Sequence, residues 1–338
     1  MNTLPTGDRV SGLDGPWQHG MSNALTDHRM TNTIHGDSNS NVGNVSLNNN
    51  TTINVGIEEE SLRIQEWLSP LQPSKRHRDV KNSRLESIGE WVLRRSDFES
   101  WCKSQDGSVY PTLLCYGGQG VGKTYIRYNS ILQKQWTMLT SDEISSLVID
   151  TLRKETRGRN MAVVFLYCNY QAQKDQSAVN MIGGLVRQAA SREPRIPSEI
   201  KRAFDESMRE GEDGLGLPDM VKLFIQVIGS IEVVYLCVDA VDEVLPQHRP
   251  KFLRALQQIV QEAPNVRLFL TGRPHIRTEL DKLLTKRAYS IHIVANRGDI
   301  TRYLDQKMDD DDGQNPGLMT EDLRNVIMET MLEKTSEM

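Results

Sequence analysis

The chain has 338 residues, of which 38% are hydrophobic and 25% charged, and its net charge is −5 at pH 7. This length allows one large domain or two modest ones, and the slightly acidic balance argues against a nucleic-acid partner. No apolar run approaches the roughly 20 residues that a membrane span requires, and residues 1–16 lack the apolar segment of a signal peptide. Cys115, Cys168 and Cys237 lie in apolar runs without metal-ligand spacing, which favours reduced thiols and a cytoplasmic location.

Residues 1–57 are rich in Asn, Ser, Thr and Gly and poor in apolar side chains. Such a segment buries too little apolar surface to offset the entropy lost on ordering, so we predict a disordered tail. Residues 38–56 combine Asn with β-branched residues, a composition that also occurs in cross-β assemblies. A solvated linker and an amyloid-type self-assembling segment therefore both stay open for this stretch.

Residues 58–108 are predicted to form a helical segment that precedes the core. Residues 61–68 have the pattern of a short amphipathic helix, and the apolar residues of 85–93 fit one face of another. The basic run at 75–78 is interpreted as a solvated surface.

The central motif follows a short apolar run at 113–116, which is typical of a buried strand. The next residues fit the pattern G-x-x-x-x-G-K-T, which is a phosphate-binding P-loop. Its glycines let backbone N–H groups point at phosphate oxygens, its lysine adds positive charge, and its threonine hydroxyl binds Mg²⁺. The predicted nucleotide-binding residues are Gly117, Gly118, Gln119, Gly120, Val121, Gly122, Lys123 and Thr124.

Further apolar runs predict strands at 161–168, 231–239, 266–271 and 289–294, separated by helical segments. A strand that is apolar throughout is buried on both faces, as in a parallel sheet. The sequence therefore predicts an α/β fold.

The second half of the site is predicted at the ends of the third and fourth strands. Asp239 ends an apolar strand, where its carboxylate can hold Mg²⁺ directly or through water. Asp242 and Glu243 follow, and either could orient or deprotonate an attacking water. Arg273 follows the fourth strand, where a guanidinium would face the γ-phosphate. The predicted catalytic residues are Asp242, Glu243 and Arg273, and the predicted metal ligands are Thr124 and Asp239.

Five segments together resemble the NACHT domains of fungal NLR-like signalling NTPases of the STAND class. They are WLSPL (67–71), GEW (89–91), GVGKTYI (120–126), DAVDE (239–243) and TGRP (271–274). The resemblance implies a P-loop NTPase domain over residues 109–308, with a five-stranded parallel sheet of order 5-1-4-3-2 flanked by helices. It also implies a nucleotide-driven switch that binds ATP or GTP with Mg²⁺, hydrolyses it slowly and forms a homo-oligomer when activated.

The sequence departs from this family pattern in two places. In the family, residues 125–126 would continue directly into 145–150, so residues 127–144 form an insertion in the helix that follows the P-loop. A retained intron and a genuine insertion both explain it, and residues 140–143 fit a capping box that could start a new helix. The second departure is at residue 338, beyond which the family would continue into a helical and winged-helix region and then a repeat array. Residues 309–338 are therefore interpreted as the start of a truncated helical region, and residues 309–313 are predicted to be an acidic loop.

Two other functions stay open. The chain could be an interaction protein that assembles through its Asn-rich segment, or a truncated product without activity.

Overall fold

A computed structural model of the chain describes residues 49–85, 87–103, 110–117, 141–211, 214–284, 288–294, 296–314 and 317–336. Several features predicted from the sequence lie outside these residues. They are residues 1–48 of the tail, most of segment 38–56, residues 127–140 of the insertion, and Gly118, Gln119, Gly120, Val121, Gly122, Lys123 and Thr124 of the P-loop. No helix in the described ranges is long and apolar enough to cross a membrane.

A five-stranded parallel sheet forms the centre of the described part of the chain. Its strands are β1 (Thr112–Gly117), β2 (Met161–Tyr167), β3 (Val233–Asp239), β4 (Val266–Gly272) and β5 (Ala288–Ile293). Their order is β2-β3-β4-β1-β5. The predicted order, 5-1-4-3-2, is this order counted from the opposite edge, so the predicted fold class is confirmed.

Helices cover both faces of the sheet. In chain order they are α1 (Asn49–Leu68), α2 (Pro73–Ser83), α3 (Ser96–Lys103), α4 (Ser141–Glu155), α5 (Ala178–Ala190), α6 (Ser198–Glu210), α7 (Leu217–Ile228), α8 (Arg249–Glu262), α9 (Arg277–Leu284), α10 (Arg297–Gln314) and α11 (Glu321–Ser336). Alternate strand residues belong to two apolar clusters. One cluster includes residues of α1, α5, α7 and α8, and the other includes residues of α2, α3 and α4. This double coverage explains why every residue of β3 is buried and why the strands are apolar throughout.

The segment that precedes β1 is packed against helix α5. Ser69 Oγ donates to the Asn180 carbonyl oxygen of α5 (2.7 Å), and Arg187 of α5 donates to the carbonyl oxygens of Ser69 (2.8 Å) and Leu71. The WLSPL segment therefore has a structural role, since it joins the end of α1 to α5.

Helix α1 begins at Asn49, within the stretch that composition predicted to be disordered up to residue 57. Once residues near Leu68 are packed in a helix, each residue added at its N-terminal end gains a hydrogen bond without a new nucleation cost. The predicted boundary at residue 57 is therefore not the start of the helix.

The predicted helix face at 85–93 is wrong. Ser87 and Gly89 have φ angles of 63° and 79°, which a right-handed helix does not allow, and a short 3₁₀ turn (Glu90–Val92) takes its place. The apolar spacing reflects two separate contacts, because Ile88 belongs to a cluster with α10 and α11 whereas Val92 packs under the sheet.

The predicted acidic loop at 309–313 is also wrong, because α10 continues to Gln314. Met308 is buried against α11, and Asp309 forms an ion pair with Arg324 of that helix (2.5 Å). A run of aspartates has low helix propensity. Packing against α11 thus supports the helical structure of this run.

The contact between α1 and α5 leads to a prediction about two adjacent glycines. A Cβ at Gly183 would overlap the carbonyl oxygen of Leu68, whereas a Cβ at Gly184 meets its nearest atom, Ser69 Oγ, at 3.4 Å. We expect Gly183→Ala to lower the free energy of unfolding by about 1–3 kcal/mol, because α1 and α5 must separate. Chemical denaturation measures this change. The control Gly184→Ala is expected to have no effect or to stabilise slightly, since alanine favours helix. Equal stability of the two variants would contradict the close packing of α1 on α5.

Candidate functional site

The carboxylate of Asp239 is the best-defined element of the site. It stands at the end of β3 and is 1% exposed. Its Oδ1 accepts hydrogen bonds from Ser145 Oγ of α4 and Thr271 Oγ1 of β4, each at 2.5 Å. Thr271 Oγ1 also accepts from the backbone N–H of Ala240 (2.8 Å). One oxygen of the carboxylate is therefore held by two hydroxyl groups from different elements.

The other carboxylate oxygen, Oδ2, is buried and has no hydrogen-bond partner among the residues that the structure describes. Burial, followed by the charge of the nearby Asp142, raises the pKa of Asp239 well above its ordinary value, although the two hydroxyl groups act in the opposite sense. A buried carboxylate without a partner is costly, and Mg²⁺ prefers carboxylate oxygen ligands. The predicted metal ligand thus fits a cation. No cluster of three metal-binding side chains occurs within the described ranges, so phosphate, water or residues outside them would complete the coordination.

The sheet register relates Asp239 to the P-loop strand. Val238 is paired with Leu270, and Thr271 is paired with Cys115 of β1. Asp239, Thr271 and Cys115 therefore form one row across three strands. Since neighbouring strands lie about 4.8 Å apart, β1 runs about 10 Å from Asp239, and the P-loop leaves β1 two residues past this row.

Gly117, which begins the P-loop pattern, ends β1. A Cβ at this position would lie 3.0 Å from the carbonyl oxygen of Ile293 in β5. Close packing of backbone against backbone thus favours glycine at the first position of the motif. The positions of Gly118 to Thr124, including Lys123, lie outside the described residues.

Asp242, Glu243 and Arg273 lie together beside Asp239's strand end. Asp242 Oδ1 accepts from the backbone N–H of Arg273 (3.1 Å), and its Oδ2 forms an ion pair with Arg273 Nε (3.2 Å). Glu243 Oε1 is 3.8 Å from Arg273 Nη2, and its Oε2 accepts from the backbone N–H of Tyr170 (3.2 Å). Burial is the main cause that raises the pKa of Glu243 above its ordinary value. The predicted trio is therefore assembled, with Asp242 bound to Arg273 and Glu243 further from it.

The sequence analysis missed a polar network that joins α2 to α4 and to the end of β2. Asp150 of α4 accepts hydrogen bonds from Arg84 (3.0 Å) and Lys81 (3.3 Å), and His77 Nε2 lies 3.2 Å from it. His77 Nδ1 is 2.8 Å from Tyr167 Oη, at the end of β2. Burial lowers the pKa of His77, against the opposing effect of Asp150. The basic run at 75–78 is thus part of α2 with His77 buried, and the signal was the helical spacing of Pro73, His77 and Val80.

Two comparisons with known proteins match the part of the chain that carries these residues. The family model of the nephrocystin 3 N-terminal region matches residues 143–273, which run from α4 to Arg273. The vegetative incompatibility protein HET-E-1 of Podospora anserina is 22% identical over 249 residues, or 71% of this chain and 16% of that protein. These two matches agree with the complete P-loop pattern of the sequence and with the confirmed strand order of the sheet. Together these findings support a NACHT-like P-loop NTPase.

Solved structures with partial likeness to this chain are more distant. A Walker-type ATPase of Pyrococcus abyssi is 14% identical with a TM-score of 0.39, and the overlap covers 67% of this chain and 60% of that one. The ORC1 protein of Aeropyrum pernix in complex with DNA is 15% identical with a TM-score of 0.38, over 66% and 50% of the two chains. Likeness at this level adds nothing to the assignment.

The buried carboxylate of Asp239 gives a pH-dependent prediction for the chain without metal or nucleotide. Because folding raises the pKa of Asp239, the folded chain binds more protons than the unfolded chain once the pH exceeds the unfolded value of about 3.9. Stability is therefore lost as the pH rises through the folded pKa. We expect Asp239→Asn to unfold at a higher temperature than the parent at about pH 7, and at a similar temperature near pH 4.

Thermal unfolding at both pH values tests this prediction. Asp219→Asn on the exposed face of α7 is the control for loss of one negative charge, and we expect only a small change at both pH values, because its ion pair with Lys222 is exposed to solvent. A parent that is as stable as Asp239→Asn at neutral pH would contradict the cost of the buried carboxylate.

Proposed function

We propose that the chain is a nucleotide-binding signalling switch of the NACHT/STAND class that binds ATP or GTP with Mg²⁺ and hydrolyses it slowly. One observation carries this proposal. β3 ends in a buried carboxylate oxygen that has no partner within the described ranges, and only β4 separates β3 from the strand that leads into a complete P-loop pattern. In P-loop NTPases the metal is held by the P-loop Ser or Thr and by an Asp at the end of a neighbouring strand.

The proposed roles follow from chemistry and position. The backbone of residues 117–124 binds the phosphates, Lys123 adds positive charge, and Thr124 and Asp239 hold Mg²⁺. When bound, Mg²⁺ bridges phosphate oxygens and neutralises the charge that develops on them.

The acidic pair beyond β3 divides into two roles. Asp242 is engaged with both the backbone and the guanidinium of Arg273, so it positions that arginine toward the γ-phosphate. Glu243 keeps one oxygen 3.8 Å from Arg273, and its raised pKa suits a group that accepts a proton from water. We assign water activation to Glu243 in preference to Asp242.

The remaining parts of the proposal rest on the resemblance to NACHT domains. They are a cytoplasmic location, homo-oligomer formation in the triphosphate-bound state, and self-assembly through residues 38–56. ATP and GTP are both retained as nucleotides, because no Asn-Lys-x-Asp motif selects guanine.

Nucleotide binding tests the switch. With Mg²⁺ and ATP, or Mg²⁺ and GTP, we expect Lys123→Ala to bind at least about tenfold more weakly than the parent, because a charged hydrogen bond to phosphate is lost. Isothermal titration measures the affinity, and phosphate release measures turnover.

Glu243→Gln is the matched control in this experiment. It is expected to keep the parent's affinity and to lose turnover, because its carboxylate acts on water and does not contact the phosphates. Equal affinity of the parent and Lys123→Ala for both nucleotides would refute the switch.

A further inference from the structure

Strand β2 lies at one edge of the sheet, and β3 is its strand neighbour in the described part of the chain. The sequence of β2, MAVVFLY (161–167), contains no charged residue, no proline and no glycine. Apolar segments of this length with high β propensity pair readily with further strands when their edge is open. The strand itself therefore lacks the charges and prolines by which edge strands commonly avoid association.

Alternate residues of β2 direct their backbone groups away from β3. The carbonyl oxygen of Asn160 accepts from the N–H of Glu232 (2.9 Å), and the N–H of Cys168 donates to the carbonyl oxygen of Asp239 (3.0 Å). Even-numbered residues thus bond to β3, and the intervening odd-numbered residues direct their N–H and C=O groups to the opposite side. We call this side the free edge of β2.

Two glutamine side chains bond to the backbone at the free edge. Gln188 Oε1 accepts from the N–H of Phe165 (3.1 Å), and Gln188 Nε2 donates to the carbonyl oxygen of the same residue (2.8 Å). Gln176 Oε1 accepts from the N–H of Asn169 (3.1 Å), and Gln176 Nε2 donates to the carbonyl oxygen of Tyr167 (3.3 Å). Each amide therefore satisfies one donor and one acceptor, as the backbone of a further strand would.

Helix α5 holds both glutamines in place. Gln188 belongs to α5, and its Nε2 also donates to the carbonyl oxygen of Gly184 in the same helix (3.1 Å). Gln176 is 5% exposed and lies two residues before the start of α5 at Ala178. Because α5 is packed on the sheet, the two amides are positioned with little further loss of conformational entropy.

We propose that Gln176 and Gln188 occupy the free edge of β2 and thereby prevent it from pairing with the same edge of a second copy of this chain. Two identical edges can pair around a twofold axis, because each offers the groups that the other requires. Removal of the glutamine amides leaves N–H and C=O groups that such pairing would satisfy. This inference does not depend on nucleotide binding.

Sedimentation velocity of the full chain without nucleotide, over a range of protein concentrations, tests the proposal. We expect the double variant Gln176→Ala/Gln188→Ala to form a dimer or a larger species at concentrations at which the parent does not. Gln226→Ala is the control, because it removes an exposed glutamine from helix α7, and it is expected to sediment as the parent does.

A proline at the free edge tests whether β2 is the strand that associates. The N–H of Val163 faces the free edge, so Val163→Pro removes a donor there without removing a hydrogen bond to β3. Added to the double variant, Val163→Pro is expected to restore the sedimentation of the parent. Circular dichroism verifies that each variant is folded.

Hydrogen exchange tests the contact of Gln188 separately, with the single variant Gln188→Ala at a dilution at which it is monomeric. We expect the amide of Phe165 to exchange about fivefold faster than in the parent, because one hydrogen bond of ordinary strength is lost. If the double variant does not fold, the exchange and sedimentation of Gln188→Ala decide the question.

Three results would each overturn the inference. They are a folded double variant that associates no more than the parent or Gln226→Ala, an association that Val163→Pro leaves unchanged, and a Phe165 amide that exchanges as slowly in Gln188→Ala as in the parent. None of them affects the proposed function.

Discussion

The structure depends on a buried carboxylate at the end of its most buried strand. Asp239 is carried by β3, which is covered by helices on both faces, and it receives hydroxyl hydrogen bonds from α4 and from β4. Burial of this carboxylate is costly, because one of its oxygens has no partner in the described part of the chain. In the proposed function the same oxygen is a cation ligand that is already desolvated and oriented. The feature that lowers the stability of the fold is then the feature that favours binding.

The segments that precede the P-loop strand are built into this arrangement. The end of α1 is fixed to α5 through the backbone of Ser69, and α2 is fixed to α4 through the contacts of His77 and Lys81 with Asp150. Since α4 also supplies Ser145 to Asp239, a displacement of α2 would reach the Asp239 carboxylate through one helix. Coupling of this kind requires a helix that can adopt two positions. A displacement of α2 from α4 would break the ion pair between Arg76 and Asp142.

The strands and their order were predictable from the sequence because buried parallel strands leave continuous apolar runs, and Asp239 was predictable because it ends one of them. The features that were missed depend on contacts between residues far apart in the chain. The helical state of 309–314 requires α11, the burial of His77 requires Tyr167 and Asp150, and the pairing of Asp242 with Arg273 requires β3 and β4 to be neighbours. No local pattern records these contacts.

A crystal structure of the chain with Mg²⁺ and a slowly hydrolysed triphosphate would test the central claim most directly. The account predicts the metal at Asp239 Oδ2, in direct contact or through one water, with Lys123 on the phosphates of the same nucleotide. A triphosphate bound elsewhere, or Lys123 on a surface remote from Asp239, would contradict it.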